Sequence, residues 1–430
     1  MRTDPKRRVL FALIAVYACS GRAAPATGVS TSRDPDSAAI RRDIAYLASD
    51  RLEGRLTGTP GNDSAAAYIA RRYSALRLTP AFPGYLQRFE ARPAQDVHLG
   101  RTEPRPTQNV VAIIRGRDPV LREEYVVIGA HFDHLGRSAD FATDPQAKDA
   151  IRNGADDNAS GTAAVMELAR LLKAHAPKRS LLFVNFSGEE LGLLGSSWFV
   201  EHSPVPLSSI GTMLNFDMVG RLRDDKLVVY GTSSAMELEA VLDSANALPG
   251  AHFRLTSMGD GFGPSDQTSF YAKDIPVLHF FTDMHEDYHA ATDDVEKINA
   301  GGEARVIGLA LNIVRMIADR PGRLTLQKSA APRMGSARSG SQVYLGTIPD
   351  MAASDAAGMR LSGVRDGSPA EAAGLKAGDV VIELAGVPVK DIYSYSDALY
   401  SHKPGDVVKM VVMRGAQRVE VSVTLGKRGG

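Results

Sequence analysis

Cysteine is almost absent from this chain. Its 430 residues contain one, Cys19, so an intramolecular disulfide and a thiolate-rich zinc site are both excluded. A surplus of either charge is lacking as well, because 50 Lys and Arg face 50 Asp and Glu. With no basic excess and no basic stripe, nucleic acid is not expected as a partner. No apolar run reaches the roughly 20 residues that a membrane-spanning helix needs. The run over residues 9–18 stops well short of that. Internal repeats are also missing. What remains is 44% hydrophobic and 23% charged, a balance that suits folded globular domains and argues against overall disorder. The length suits two or three such domains.

The first 19 residues read as an export signal. Arg2, Lys6, Arg7 and Arg8 precede the short apolar run, which is the pattern of a signal peptide. Arg7-Arg8-Val9-Leu10-Phe11 has a faint twin-arginine character. Val16-Tyr17-Ala18-Cys19 resembles a bacterial lipoprotein box, with the bulky Tyr17 as its departure. Two outcomes stay open: a lipid anchor on Cys19, or plain secretion after cleavage near Ala23 or Ala24. Either one implies an exported protein, periplasmic or cell-envelope if lipid-anchored and otherwise secreted. Without residues 1–18 the count becomes 46 basic against 49 acidic residues, so part of the neutrality belongs to the signal.

Residues 20–36 lack periodicity and read as a tether. Apolar spacing predicts helices over 37–49, 62–78, 161–174 and 304–317, with Asn62 or Asp63 capping the second. The Asp50–Arg55 stretch between the first two reads as a polar loop. Short β-branched runs predict strands over 110–114, 125–128, 181–186, 213–216, 227–230 and 277–281. Strands alternating with helices imply an α/β fold with a largely parallel sheet. Such sheets bind ligands beyond the carboxyl ends of their strands. Residues 320–342 carry no acidic side chain but contain Pro321, Gly322, Pro332, Gly335 and Gly340, and read as a linker. Residues 37–319 thus form one domain and residues 343–430 a second.

Five polar clusters follow predicted strands or open a helix. They are His131-Phe132-Asp133-His134, Asp156-Asp157-Asn158, Glu189-Glu190, Asp217 and His285-Glu286-Asp287-Tyr288-His289. Any one carboxylate after a strand is more often a helix cap. Five clusters on one sheet edge would repel each other without a cation. Imidazole and carboxylate donors suit Zn²⁺, and also Co²⁺ or Mn²⁺. A bridging carboxylate could hold two metals about 4 Å apart, the spacing used to activate water for hydrolysis. Adjacent Glu189 and Glu190 point in different directions, so one can bind metal while the other serves as base. Asp156 competes with Asp157 for the bridge, and His134 and His285 are ligand candidates by proximity. The Gly-rich stretch 259–263 has no following Lys-Ser/Thr and reads as a mobile loop, not a phosphate loop.

Gly129-Ala130-His131-Phe132-Asp133-His134, Asn153-Gly154-Ala155-Asp156-Asp157-Asn158-Ala159-Ser160-Gly161, Phe186-Ser187-Gly188-Glu189-Glu190, Asn215-Phe216-Asp217 and Tyr288-His289-Ala290-Ala291-Thr292-Asp293 resemble the successive signatures of the co-catalytic di-zinc exopeptidases, peptidase family M28. The bacterial leucyl-type aminopeptidases belong to that family. Leu52-Glu53-Gly54-Arg55-Leu56-Thr57-Gly58 is similar to its N-terminal region, and the likeness spans residues 38–318. It implies a three-layer α/β/α fold with a mixed, mostly parallel sheet. It implies that Asp157 bridges two Zn²⁺, with His131 and Asp217 completing one set and Glu190 and His289 the other. Glu189 would be the general base, Asp133 would fix the tautomer of His131, and Tyr288 would assist the oxyanion. His134 and His285 would fall outside the ligand set. A cis peptide is implied between Asp157 and Asn158. The implied substrates are peptides with a free N-terminus.

The second unit carries Gly367-Ser368-Pro369-Ala370-Glu371-Ala372-Ala373-Gly374-Leu375-Lys376-Ala377-Gly378-Asp379-Val380-Val381, which resembles a bacterial-type PDZ domain, β-rich with short helices. Tyr344-Leu345-Gly346-Thr347 would be its carboxylate-binding loop, taking the C-terminus of a peptide ligand. The rival readings are a carboxypeptidase, another amidohydrolase or a glutaminyl cyclase on the same fold. A rival of another class is a silent scaffold that binds peptides through the PDZ groove.

Overall fold

The computed structural model describes residues 34–92, 103–138, 142–144, 147, 149–263, 265–328, 343–349, 358–364, 367–390, 394–395, 398–399 and 401–427. The export signal with Cys19, nearly all of the tether and most of the linker lie outside them. Among the described residues, no helix is long and apolar enough to cross a membrane.

Local chemistry sets the first two helices. In α1 (Ser37–Leu47), the Asp36 carboxylate caps the amides of Ala38 and Ala39, each at 3.0 Å. Ile40, Ile44 and Leu47 then recur on its buried face. The next helix, α2 (Pro60–Ala75), has its N-cap three residues before Asn62 and four before Asp63, the predicted caps. Thr59 is the N-cap and Pro60 opens the first turn, where a missing N–H costs nothing. Asn62 is instead fully buried, bonding the Arg55 carbonyl and Thr107.

The sheet uses nine strands: β1 (Thr79–Pro80), β2 (Leu86–Ala91), β3 (Arg105–Ile114), β4 (Tyr125–His131), β5 (Ser180–Phe186), β6 (Ile210–Phe216), β7 (Lys226–Tyr230), β8 (Arg254–Met258) and β9 (Val277–Phe281). Their order is β1-β3-β5-β4-β6-β9-β7-β8, with β2 also on β3. The central run β5-β4-β6-β9 is parallel throughout. Every residue of β4 and β5 is buried, as expected when helices cover both faces.

Alternation along these strands builds two cores. Val126, Ile128, Leu181 and Phe183 point into one, with α1, α2, α3 (Gly161–Ala174) and the long helix Ala300–Asp319. Val127, Leu182, Val184 and Phe186 point into the other, with Phe199, Val200, Phe270 and Tyr271. This is the three-layer α/β/α arrangement. The predicted linker does not leave at residue 320: Arg320 pairs with Glu237, Arg323 bonds the Ser208 and Ile210 carbonyls, and the Gln327 amide bonds the Ser234 carbonyl. The chain is therefore held to the sheet domain as far as Gln327.

The C-terminal unit is a second, antiparallel structure. Its strands Thr347–Pro349, Met359–Val364, Val380–Leu384, Val407–Arg414 and Gln417–Thr424 are neighbours in that order. They enclose a core of their own around Leu361, Val381, Leu384, Met410 and Val412. Asp379, almost fully buried, is clamped by two 2.8 Å bonds from Arg414.

Candidate metal centre

The parallel run of strands delivers the polar clusters to one edge. His131 ends β4, Glu189 and Glu190 follow β5, Asp217 follows β6, and Tyr288 and His289 lie beyond β9. Asp157 comes from the turn before α3. That turn is held on both sides. Asp293 accepts the amides of Asp156 at 2.9 Å and Asp157 at 3.0 Å, while Asn158 bonds the Phe216 carbonyl at 2.8 Å. The Asp157–Asn158 peptide is cis.

The spacings among the donor atoms are regular. His131 Nε2 lies 3.4 Å from Asp157 Oδ1 and 3.4 Å from Asp217 Oδ1. His289 Nε2 lies 3.2 Å from Asp157 Oδ2 and 3.1 Å from Glu190 Oε2. Ligands bonded to one tetrahedral ion at about 2.0 Å stand about 3.3 Å from each other. The residues present thus fit an ion of the zinc type without moving. Glu189 Oε2 is further out, 3.9 Å from His131 Nε2.

Charge follows the same division. Burial pushes Glu190 up, but His289 and His134 outweigh it and hold the carboxyl well below its ordinary range. Burial raises Asp217 too, and His131 with Ser265 brings it below normal. Glu189 is pushed well up by burial, with Glu190 and Asp217 adding to the shift and His131 opposing it. Burial lowers His289, yet Glu190 and Asp157 carry it up to about 10. Tyr288 is driven well up by burial and by the surrounding carboxylates, and its ring stacks on His289 at 3.8 Å.

The other candidates divide: Asp156 and His285 face each other, while His134 Nδ1 stands close to Asp157 and Glu190. Asp156 turns away, accepting the Gly220 amide at 2.7 Å and facing His285 Nε2 at 3.1 Å. His134 contacts Glu190 through Nδ1. Asp133 differs in detail from expectation. Its main-chain carbonyl, at 3.2 Å, is nearer to His131 Nδ1 than its carboxylate, at 3.8 Å. The carboxylate accepts from Thr57 at 2.8 Å and from the Glu189 amide at 3.2 Å, so it ties the segment that carries His131 to the one that carries Glu189 and Glu190. The stretch 259–263 is bonded to its neighbours: Ser233 reaches the Gly259 carbonyl and Gly263 reaches Thr268.

Two residues beside the centre had no part in the sequence-based site. Arg55, fully buried, donates to the carbonyls of Phe132 (2.7 Å), Leu47 (2.5 Å), Asn153 (2.6 Å) and Gly154 (3.0 Å). It thereby fastens the two segments that carry His131 and Asp157. Its polar neighbours in Asp50-Arg51-Leu52-Glu53 gave no sign of this. Asp266 is a fully buried carboxyl pushed up to about 7 by burial and opposed by the His131 charge.

In the C-terminal unit, Leu345 is buried and Gly346 has φ 81°. A Cβ on Gly346 would stand 2.3 Å from Ser368 Cβ, so only glycine fits. Thr347 bonds the Tyr395 hydroxyl at 2.6 Å, and the Tyr344 hydroxyl donates to the Thr143 carbonyl at 3.4 Å.

Comparison with known proteins agrees with this architecture. Residues 109–314 match the model of peptidase family M28, and residues 332–425 match that of the PDZ domain. The chain is 29% identical to aminopeptidase YwaD of Bacillus subtilis over 201 residues, 45% of this chain and 41% of that one. It is 32% identical to an aminopeptidase of Pseudomonas aeruginosa over 181 residues, 41% of this chain and 30% of the other. These alignments span less than half the length of either relative. Among solved structures, a Zn-dependent exopeptidase from Parabacteroides distasonis superposes with a TM-score of 0.55 at 19% identity, covering 67% of this chain and 99% of that one. The zinc aminopeptidase BSAP of Bacillus subtilis gives 0.54 at 17% identity, covering 68% and 98%.

Proposed function

Because residues 109–314 of this chain belong to peptidase family M28 and residues 332–425 to the PDZ domains, we propose that it is a two-zinc aminopeptidase removing N-terminal residues from peptides. The observation that carries this reading is Asp157. Its two carboxylate oxygens face different histidines, Oδ1 toward His131 at 3.4 Å and Oδ2 toward His289 at 3.2 Å. One ion would sit among His131, Asp157 and Asp217, the other among Asp157, Glu190 and His289. Cobalt or manganese would suit the same donors. Bound there, the ions supply a water that is acidic near neutral pH and an electrophile for the scissile carbonyl.

The chain's own residues do the rest. Glu189 Oε2 takes the proton of the attacking water and returns it to the leaving amine. The neighbouring carboxylates that now push its pKa up are the ones cations would neutralise, which leaves it suited to act as a base. Tyr288 stays a neutral phenol because burial and four carboxylates oppose its ionisation, so it can donate to the oxyanion. Asp133 holds the Glu189 amide and so sets where the base stands.

The PDZ unit would take the free C-terminus of a peptide. The left-handed turn at Gly346, φ 81°, where a Cβ would meet Ser368, supports a carboxylate-binding loop at Tyr344-Leu345-Gly346-Thr347. Peptides with free and amidated C-termini test this, and equal binding of both would reject it. The N-terminal sequence supports export with Cys19 as the lipid-bearing residue. Intact mass of the mature protein decides between that anchor and plain secretion.

The experiment for the catalytic reading compares free-amino and N-acetylated peptides, each with and without chelator. Cleavage confined to free-amino peptides and abolished by chelation is expected. Equal cleavage of blocked peptides would favour another hydrolase, and cyclised glutaminyl products would identify a cyclase.

A further inference from the structure

His134 lies outside the proposed ligand set, and its surroundings give it a separate task. Its side chain is fully buried. Nδ1 stands 2.6 Å from Glu190 Oε1 but 3.9 Å from Asp157 Oδ2. Two donors on one tetrahedral ion would be about 3.3 Å apart. A separation of 2.6 Å is too short for that and fits a charge-assisted hydrogen bond. The proton must therefore sit on Nδ1. Were it on Nε2, a buried N–H would have no acceptor among the described residues. The Nδ1 lone pair would then also confront a carboxylate oxygen.

The ring is confined on several sides. Gly154 has φ 55°, and a Cβ added there would lie 2.5 Å from the His134 ring and 2.0 Å from the Asp157 carbonyl. The His289 ring stands edge-on at 5.7 Å. The His134 amide reaches the Arg55 carbonyl at 3.4 Å.

The consequence falls on Glu190. One of its oxygens is occupied by His134, while Oε2 lies 3.1 Å from His289 Nε2. We infer that His134 is a positioning residue that takes Glu190 Oε1 and leaves Oε2 alone to join Asp157 and His289 on the second ion. Glu190 is thereby held to a single-oxygen contact with a fixed direction. This inference rests on reading Glu190 as a ligand.

The test is zinc competition with a chromophoric chelator on the apoprotein, resolved into two sites. His134→Ala should weaken the Glu190 site about 10–100-fold, the usual cost of losing an outer partner, and leave the His131–Asp217 site within about threefold. His134→Asn can set an amide N–H where Nδ1 stood and should recover most of that loss. It also serves as the working variant if His134→Ala does not fold, as judged by apoprotein melting. In a Glu190→Ala background, His134→Ala should change zinc affinity little further. Equal weakening of both sites, no recovery with Asn, or the full extra loss in the Glu190→Ala background would overturn the inference. This readout needs no substrate, so a failed peptidase assay and a failed titration are separate results.

Discussion

Replacing Arg55 with Met should damage this protein more than any substitution at an exposed arginine. Methionine fills similar space but carries no donors. The change strands four buried carbonyls, those of Leu47, Phe132, Asn153 and Gly154, which Arg55 now bonds at 2.5–3.0 Å. Bonds from a charged donor contribute about 1.5–3 kcal/mol each. Against them stands the cost of burying the guanidinium, large enough to pull its pKa down to about 10 despite Asp133, Asp157, Asp293 and Glu190 nearby. That cost is roughly 3 kcal/mol. Four such bonds less that cost leave about 3–9 kcal/mol, and the low end of that range gives a net loss of about 4 kcal/mol. For a domain of this size each kcal/mol moves the melting point by about 2–4 °C, so a fall of roughly 8–16 °C is expected. The assay is thermal unfolding of the zinc-free protein followed by circular dichroism, with Arg55→Lys alongside. Lysine keeps the charge and three donors and should lie between the two. A melting point for Arg55→Met within about 2 °C of wild type would refute the idea that this side chain fastens the segments that carry His131 and Asp157.

Other expectations follow from the same geometry. Glu189→Gln keeps shape but cannot accept a proton, so it should retain zinc while turnover on a free-amino peptide falls about 10²–10⁴-fold. Zinc content and turnover measured on one sample check this, and near-normal turnover would remove Glu189 from the base role. His279 is fully buried, and burial pulls it down to about 4. As pH falls below about 6.5 the unfolded histidine gains a proton while the folded one does not until about pH 4, so stability is lost across that interval. In the zinc-free protein, His279→Gln should therefore lose less stability than wild type between those pH values, by up to about 3 kcal/mol. Denaturant titrations at several pH values measure it, and parallel curves would contradict it.

The fold was largely legible because its central strands are buried on both faces. Continuous apolar runs such as Leu181-Leu182-Phe183-Val184 have few other readings. Strands β2 and β8, with mixed burial, left weaker patterns. The donor residues His131, Glu190 and Asp217 stand where they could be sought because each ends or follows a readable strand, and a parallel sheet gathers strand ends, whereas Asp157 opens a helix and is marked only by its polar run. Arg55 was not legible, since its role depends on four carbonyls from distant segments converging after folding. Asp266 escaped notice because an isolated acid before a short helix looks like a cap. Nothing local shows that its carboxyl is fully buried beside the centre. The start of α2 was misplaced because Asn62 resembles a cap while serving as a buried bridge between Arg55 and Thr107.

The central claim is that Asp157 is shared by two ions. Counting zinc per chain in the purified protein and in two variants tests it most directly. Wild type should hold two ions, Asp217→Asn should weaken one, and Asp157→Asn should weaken both. A single ion in wild type, or one ion held at undiminished affinity in Asp157→Asn, would contradict it.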